Sequence, residues 1–219
     1  MQTAGSADET FSPLDDLLAR YAAGTLDPAL HALVEGHLEL KPASRAFVRA
    51  LESLEADRVL DLPEPLPLSR DACLARIFSD VPPPPRVRGP ASRLPAAVRR
   101  FVGSDFNDIN WRSRLPGVKE FRIGNPDDAN ASLFWIDAGR SIPSHTHDGA
   151  ETTLVLHGAF SDVAGHYDRG DIAFADSDVD HRPRVDKSGD CLCFAVTDGH
   201  LHLTGPIGRI VDRFFGPGR

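Results

Sequence analysis

Two histidines one residue apart, His145 and His147, are followed four positions after the second by Glu151, and His181 stands further along the chain. Side chains of a strand alternate between its faces, so the two members of a His-x-His pair project to the same side. Asp148-Gly149 reads as a turn, which lets the Glu151 carboxylate swing back into the same space. Neutral imidazoles with one carboxylate suit a divalent transition ion, and zinc, iron, manganese and nickel all accept such donors. A fourth donor is then wanted from a neighbouring strand, and His181, in Asp180-His181-Arg182-Pro183, is the best placed. His157, His166, His200 and His202 are expected to face solvent or to be satisfied by hydrogen bonds. Cys191 and Cys193 also share one strand face. They are expected to be small core residues rather than a redox pair or extra ligands, since free Cys is among the most buried residue types.

The elements that must hold these residues change character along the chain. Residues 14 to 80 carry helical periodicity. Leu14, Leu17, Leu18 and Tyr21 recur at helix spacing, with Gly24 as a stop. Asp27-Pro28 is an N-cap and first-turn pair for a second helix, which presents Leu30, Leu33, Val34, His37 and Leu38 on one face. A third helix starts near Pro42 and runs through Phe47, Leu51 and Leu54; a fourth spans Ser69 to Phe78, with Leu74, Ile77 and Phe78 expected to face inward. The run Val81-Pro82-Pro83-Pro84-Pro85 cannot donate backbone hydrogen bonds and reads as a semi-rigid linker. Beyond it, short apolar runs at 132–136, 152–156 and 191–196 alternate with Gly, Pro, Asp and Asn clusters, the pattern of an all-β sandwich or barrel. The fold class is therefore α+β: a helical domain over residues 1–80, a proline-rich linker over 81–95 and a β-barrel over 96–219.

Composition narrows the function. A formal net charge of -8 argues against non-specific nucleic-acid binding, which needs a basic surface. Three cysteines, two of them two residues apart, make no secreted disulfide framework. Residues 1–9 have neither a basic start nor an apolar stretch, and no run approaches the ~18 apolar residues of a membrane span. A cytoplasmic protein without a membrane partner is expected.

The spacing Gly139, His145-x-His147, Glu151, Gly158 resembles the first motif of the cupin family, position for position. The second motif is kept in Gly170 and His181, while Asp176 and Asp178 stand at its Pro and Gly places and Val185 at its Asn. This resemblance implies a jelly-roll barrel holding its metal with His145, His147, Glu151 and His181. The chain as a whole, over residues 12 to 216, resembles the ChrR family of anti-sigma factors. The stretches 17–26, 34–40, 154–160, 170–172 and 190–193 carry the likeness. That resemblance implies a helical domain that clasps an extracytoplasmic-function sigma factor, and a cupin that senses singlet oxygen or related oxidants, with zinc the expected metal.

One departure from the family stands out. Its helical zinc site uses an upstream His and then His-x3-Cys-x2-Cys; here only His37 survives, with Lys41 and Ser44 at the two Cys places and Ser12 near the upstream His. Neither Lys nor Ser suits a tetrahedral zinc site. His37 is therefore expected to be a satisfied core residue, with no zinc in this domain. The fold is then expected to be held by packing alone, without zinc, among Leu18, Tyr21, Leu30, Leu33, Val34, Phe47 and Leu51. Residues 1–60 hold ten Asp or Glu against five Lys or Arg, a charge balance suited to a basic partner. The leading expectation is an anti-sigma regulator with a metal-binding sensor. The alternative is a metal-dependent cupin dioxygenase acting on a diketone or thiol, and a third reading is a non-catalytic cupin that binds a small molecule.

Overall fold

Ser12 opens the first helix, α1 (Pro13–Ala22), with a capping box: its hydroxyl accepts from the Asp15 N–H, and the Asp15 carboxylate accepts from the Ser12 N–H. Asp27 caps α2 (Pro28–Leu40) by accepting from the N–H groups of Ala29 and Leu30. Lys41 ends that helix, and α3 (Pro42–Leu60) starts directly after it. The computed structural model describes residues 12–60, 69–79, 92–124, 131–199 and 201–204. The proline run thus lies outside the described residues, as does His200. A fourth helix, α4 (Arg70–Ser79), and a short α5 (Ala96–Val102) precede the strands.

The strands are β1 (Arg112–Leu115), β2 (Val118–Ile123), β3 (Ala131–Ile136), β4 (His145–His147), β5 (Glu151–His157), β6 (Ala159–Ser161), β7 (His166–Asp168), β8 (Ile172–Ala175), β9 (Arg184–Val185), β10 (Cys191–Thr197) and β11 (Leu201–Leu203). A six-stranded antiparallel sheet runs β1-β2-β3-β10-β5-β8, and two small sheets, β7-β6-β9 and β11-β4, complete the β-sandwich. Period-two alternation gives the large sheet two apolar faces. Leu154, Leu156, Leu192 and Phe194 point one way; Val155, Cys191 and Cys193 point the other, into the sandwich with Val118, Ile136, Phe160 and Val185.

The outward face is where the helices sit. Leu33 and Val34 of α2 and Val98 of α5 share one buried cluster with Leu133, Leu154 and Phe194 of the sheet, all fully buried. Each such side chain contributes about 1.5–3 kcal/mol through removal from water. Gly36 marks the closest approach: a Cβ there would lie 2.9 Å from Val98 Cγ2 and 3.1 Å from Leu154 Cδ2. This continuous core extends the expected helical packing into the sheet. Leu18, Leu33 and Val34 are buried as expected, but Phe47 is 36% exposed, and the helices are completed by the sheet. The expected inward face of α4 is also corrected. Ile77 is 65% and Phe78 81% exposed, because helical spacing shows which side is apolar and not what covers it.

Polar contacts reinforce the same junction. The His37 Nδ1–H donates to the Gly170 carbonyl at 2.7 Å, and Nε2 accepts from the Ser44 hydroxyl at 2.8 Å. Lys41 Nζ pairs with Asp171 Oδ1 at 2.8 Å. The three residues standing at the family's second His and two Cys places thus fasten α2 and the start of α3 to the β7–β8 turn, and both ring nitrogens of His37 are engaged. Burial lowers the His37 pKa by more than its bond to Gly170 raises it. The folded protein therefore binds fewer protons at this site than the unfolded chain does. Its stability contribution is full above the unfolded value near pH 6.5, and is lost as pH falls through the lower folded value. Thermal midpoints measured between pH 7.5 and pH 5 should fall further for the wild type than for His37→Asn, whose amide keeps the donor and does not titrate. Parallel curves would show that His37 does not carry this dependence.

Candidate metal centre

β4 presents His145 and His147 inward with Thr146 between them, as the i, i+2 spacing requires, and the two imidazoles are each 2% exposed. Glu151 begins β5 after the turn at Asp148. His181 reaches the same place by an antiparallel bridge to His145, with reciprocal N–H to carbonyl bonds of 3.1 Å. One donor atom from each of the four side chains lies within 4.8 Å of the others, the single group of this kind among the described residues. At the altered second motif, Asp176 does the work of the missing turn residues: its carboxylate accepts from the Asp178 N–H at 3.0 Å, and its carbonyl from the Val179 N–H at 3.2 Å.

The hydrogen bonds around the cluster set its chemistry. His145 Nδ1–H donates to the Pro143 carbonyl at 2.8 Å, and His181 Nδ1–H to Asp162 Oδ2 at 3.2 Å. Both rings are thereby turned so that Nε2 faces the cluster as a lone pair, and the two Nε2 atoms lie 2.9 Å apart. His147 is buried with neither ring nitrogen hydrogen-bonded, its Nε2 3.3 Å from Glu151 Oε2. Facing lone pairs and an orphaned buried imidazole are costly unless a cation stands between them, about 1–3 kcal/mol for each unmet polar group. Burial drives the His145 pKa down to about 4, against the opposing pull of Pro143 and Glu151. Burial alone would raise Glu151, but the three histidines outweigh it and leave the carboxyl below its usual range. At neutral pH His145 is neutral and Glu151 ionised, the states in which both can bind a metal ion.

The sequence reading missed Asp162. Its side chain is 3% exposed; Oδ1 accepts from the N–H groups of Ala164 and Gly165 while Oδ2 holds His181. A lone Asp in a turn, nineteen residues from its partner, carries no spacing signal. The other histidines of the barrel that lie among the described residues have ordinary partners. His166 bonds to Ser161, His202 to Asp148, and His157 stacks on Trp135. Cys191 and Cys193 are buried in the sandwich core with sulfurs 3.5 Å apart, as expected of core residues.

A helical bundle packed on a cupin barrel with a three-histidine, one-carboxylate cluster defines the class. Residues 100–201 match the ChrR cupin-like domain. The chain is 34% identical over 204 residues to the anti-sigma-E factor ChrR of Cereibacter sphaeroides, covering 92% of this chain and 95% of that protein. Among solved structures it is similar to Rhodobacter sphaeroides SigE in complex with the anti-sigma ChrR, at TM-score 0.68 and 34% identity, over 84% of this chain and 96% of that one. An RmlC-like cupin of Ralstonia eutropha aligns at TM-score 0.40 and 21% identity, over 50% of this chain and 82% of that one. The chain belongs to the ChrR family of anti-sigma factors. No helix among the described residues is long and apolar enough to cross a membrane.

Proposed function

We propose that this protein is an anti-sigma factor whose helical part binds an extracytoplasmic-function sigma factor and whose barrel holds one divalent ion, zinc, through His145, His147, Glu151 and His181. The observation that carries the reading is the likeness to ChrR across both halves of the chain, in a structure where ChrR is bound to SigE. The exposed apolar side chains Ile77 and Phe78, adjacent on α4, and Leu54 on α3 support it, since a partner that covers them would remove them from water. An oxidative or chemical signal at the cluster would reach the helices through the shared core and the fastening of His37 and Lys41. Whole-chain likeness to an anti-sigma factor favours this reading over a dioxygenase. A bound ion supplies a fixed positive charge joining β4, β5 and the segment of His181; the chain's residues supply orientation and exclusion of water.

Co-expression with the sigma factor encoded beside this protein should give a complex that survives size-exclusion chromatography, and Ile77→Asp with Phe78→Asp should abolish it. A wild type that binds no neighbouring sigma factor would end this reading. Asp162→Ala should lower metal affinity about 10–100-fold by releasing His181, as measured by competition with a chromophoric chelator. An unchanged affinity would remove Asp162 from the site.

A further inference from the structure

On the outside of the barrel, beside the segment that carries His181, lies an open cleft of about 650 Å³ lined by Leu115, Pro116, Arg140, Ser141, Arg182 and Arg184. Three arginines line it in a chain whose net charge is -8. Elsewhere arginines are held by carboxylates: Arg99 by Asp105, Arg100 by Glu35, and Arg114 and Arg122 by Glu120. Among the described residues, no carboxylate lies within ion-pairing distance of Arg140, Arg182 or Arg184. Asp137 Oδ2 flanks Arg140 at Gly117 without pairing with it, so three cations face one nearby carboxylate, and the positive excess attracts an anion.

The backbone beneath the cleft is well tied. Ser141 bridges Arg184, the Ile142 N–H donates to the Pro183 carbonyl at 3.0 Å, and the Val185 N–H to the Arg140 carbonyl at 2.8 Å. Arg182 and Arg184 are i, i+2 neighbours and share a face, and Ser141 opposite Arg184 shares it too. The stem of Arg140 lies across Gly117, where a Cβ would come within 3.0 Å of its Cγ and Nε and 2.9 Å from Asp137 Oδ2. Leu115 and Pro116 make the remaining wall apolar.

We infer that this cleft binds a small organic anion carrying two or more phosphate or carboxylate groups, gripped by Arg140, Arg182 and Arg184, with its carbon skeleton against Leu115 and Pro116. Guanidinium forks match both kinds of oxyanion in bidentate fashion, and the volume is that of a small-molecule site. The site is separate from the metal cluster, since Arg182 is exposed on the outer side of the chain while its neighbour His181 is buried inside.

Isothermal titration of the full-length protein with pyrophosphate, and separately with citrate, tests this at a fixed ionic strength of about 0.15 M set with sodium chloride. A saturable one-site isotherm with either probe is expected, and the stronger probe tells phosphate from carboxylate chemistry. The double substitution Arg182→Ala, Arg184→Ala should weaken binding at least about tenfold, Arg182→Lys with Arg184→Lys by less, and Arg99→Ala not at all. These side chains are exposed, so the variants should melt no lower than the wild type, which serves as the folding control. No saturable heat with either probe overturns the inference. Equal binding by the wild type and the double alanine variant overturns it as well, since that would be general ionic association.

Discussion

Purified His147→Ala protein should carry almost no metal, where the wild type should carry about one ion per chain by elemental analysis. His147 is the most diagnostic of the four residues because both its nitrogens are buried without a hydrogen bond, with Nε2 facing Glu151 at 3.3 Å. A side chain in that position weakens a metal-free protein and strengthens a loaded one. The expected signature is therefore double. Chelation should destabilise the wild type, by about 4 kcal/mol where free metal had stood a thousandfold above its dissociation constant. The melting curve of His147→Ala should ignore the chelator. His147→Gln, which nearly preserves volume but offers a poorer donor, should also lose the ion. Full metal content in both variants would show that the cluster is not the binding site.

The second large effect is expected at Gly158, between β5 and β6. Its φ is +70°, and a Cβ would sit 2.2 Å from the Asp190 carbonyl oxygen, which is backbone and cannot swing aside. Gly158→Ala should combine the left-handed penalty of about 1–2 kcal/mol with about 1–3 kcal/mol of overpacking. The melting temperature should fall by roughly 5–20 °C for a chain of this size. Gly24→Ala is the control: it has a similar φ of +67° but nothing within 4 Å, so only the first penalty applies. Equal effects at the two sites would mean that the turn at Asp190 relaxes freely.

Much of this architecture could be read from local sequence because its causes are local. Asp27-Pro28 dictates a helix start, and His145-x-His147 dictates a shared strand face; the structure has both. The cluster residues were legible because their spacing encodes a turn between two strands. What sequence did not give depends on distant partners. Asp162 reaches His181, and Gly36 accommodates Leu154, across separations that no period records. The inward face expected of α4 failed for the same reason. An apolar stripe carries no mark of whether its cover belongs to the same chain.

The helices and the sheet own their apolar interior jointly, and this limits how such proteins can be recombined. Grafting residues 12–60 onto an unrelated barrel would strand Leu33 and Val34 against a surface not shaped for them, and would leave Leu154 and Phe194 of the donor barrel wet. Inheritance of the two halves as one unit follows: a change in either lining must be matched in the other, so a functional chimaera requires both sides of the seam to be exchanged together.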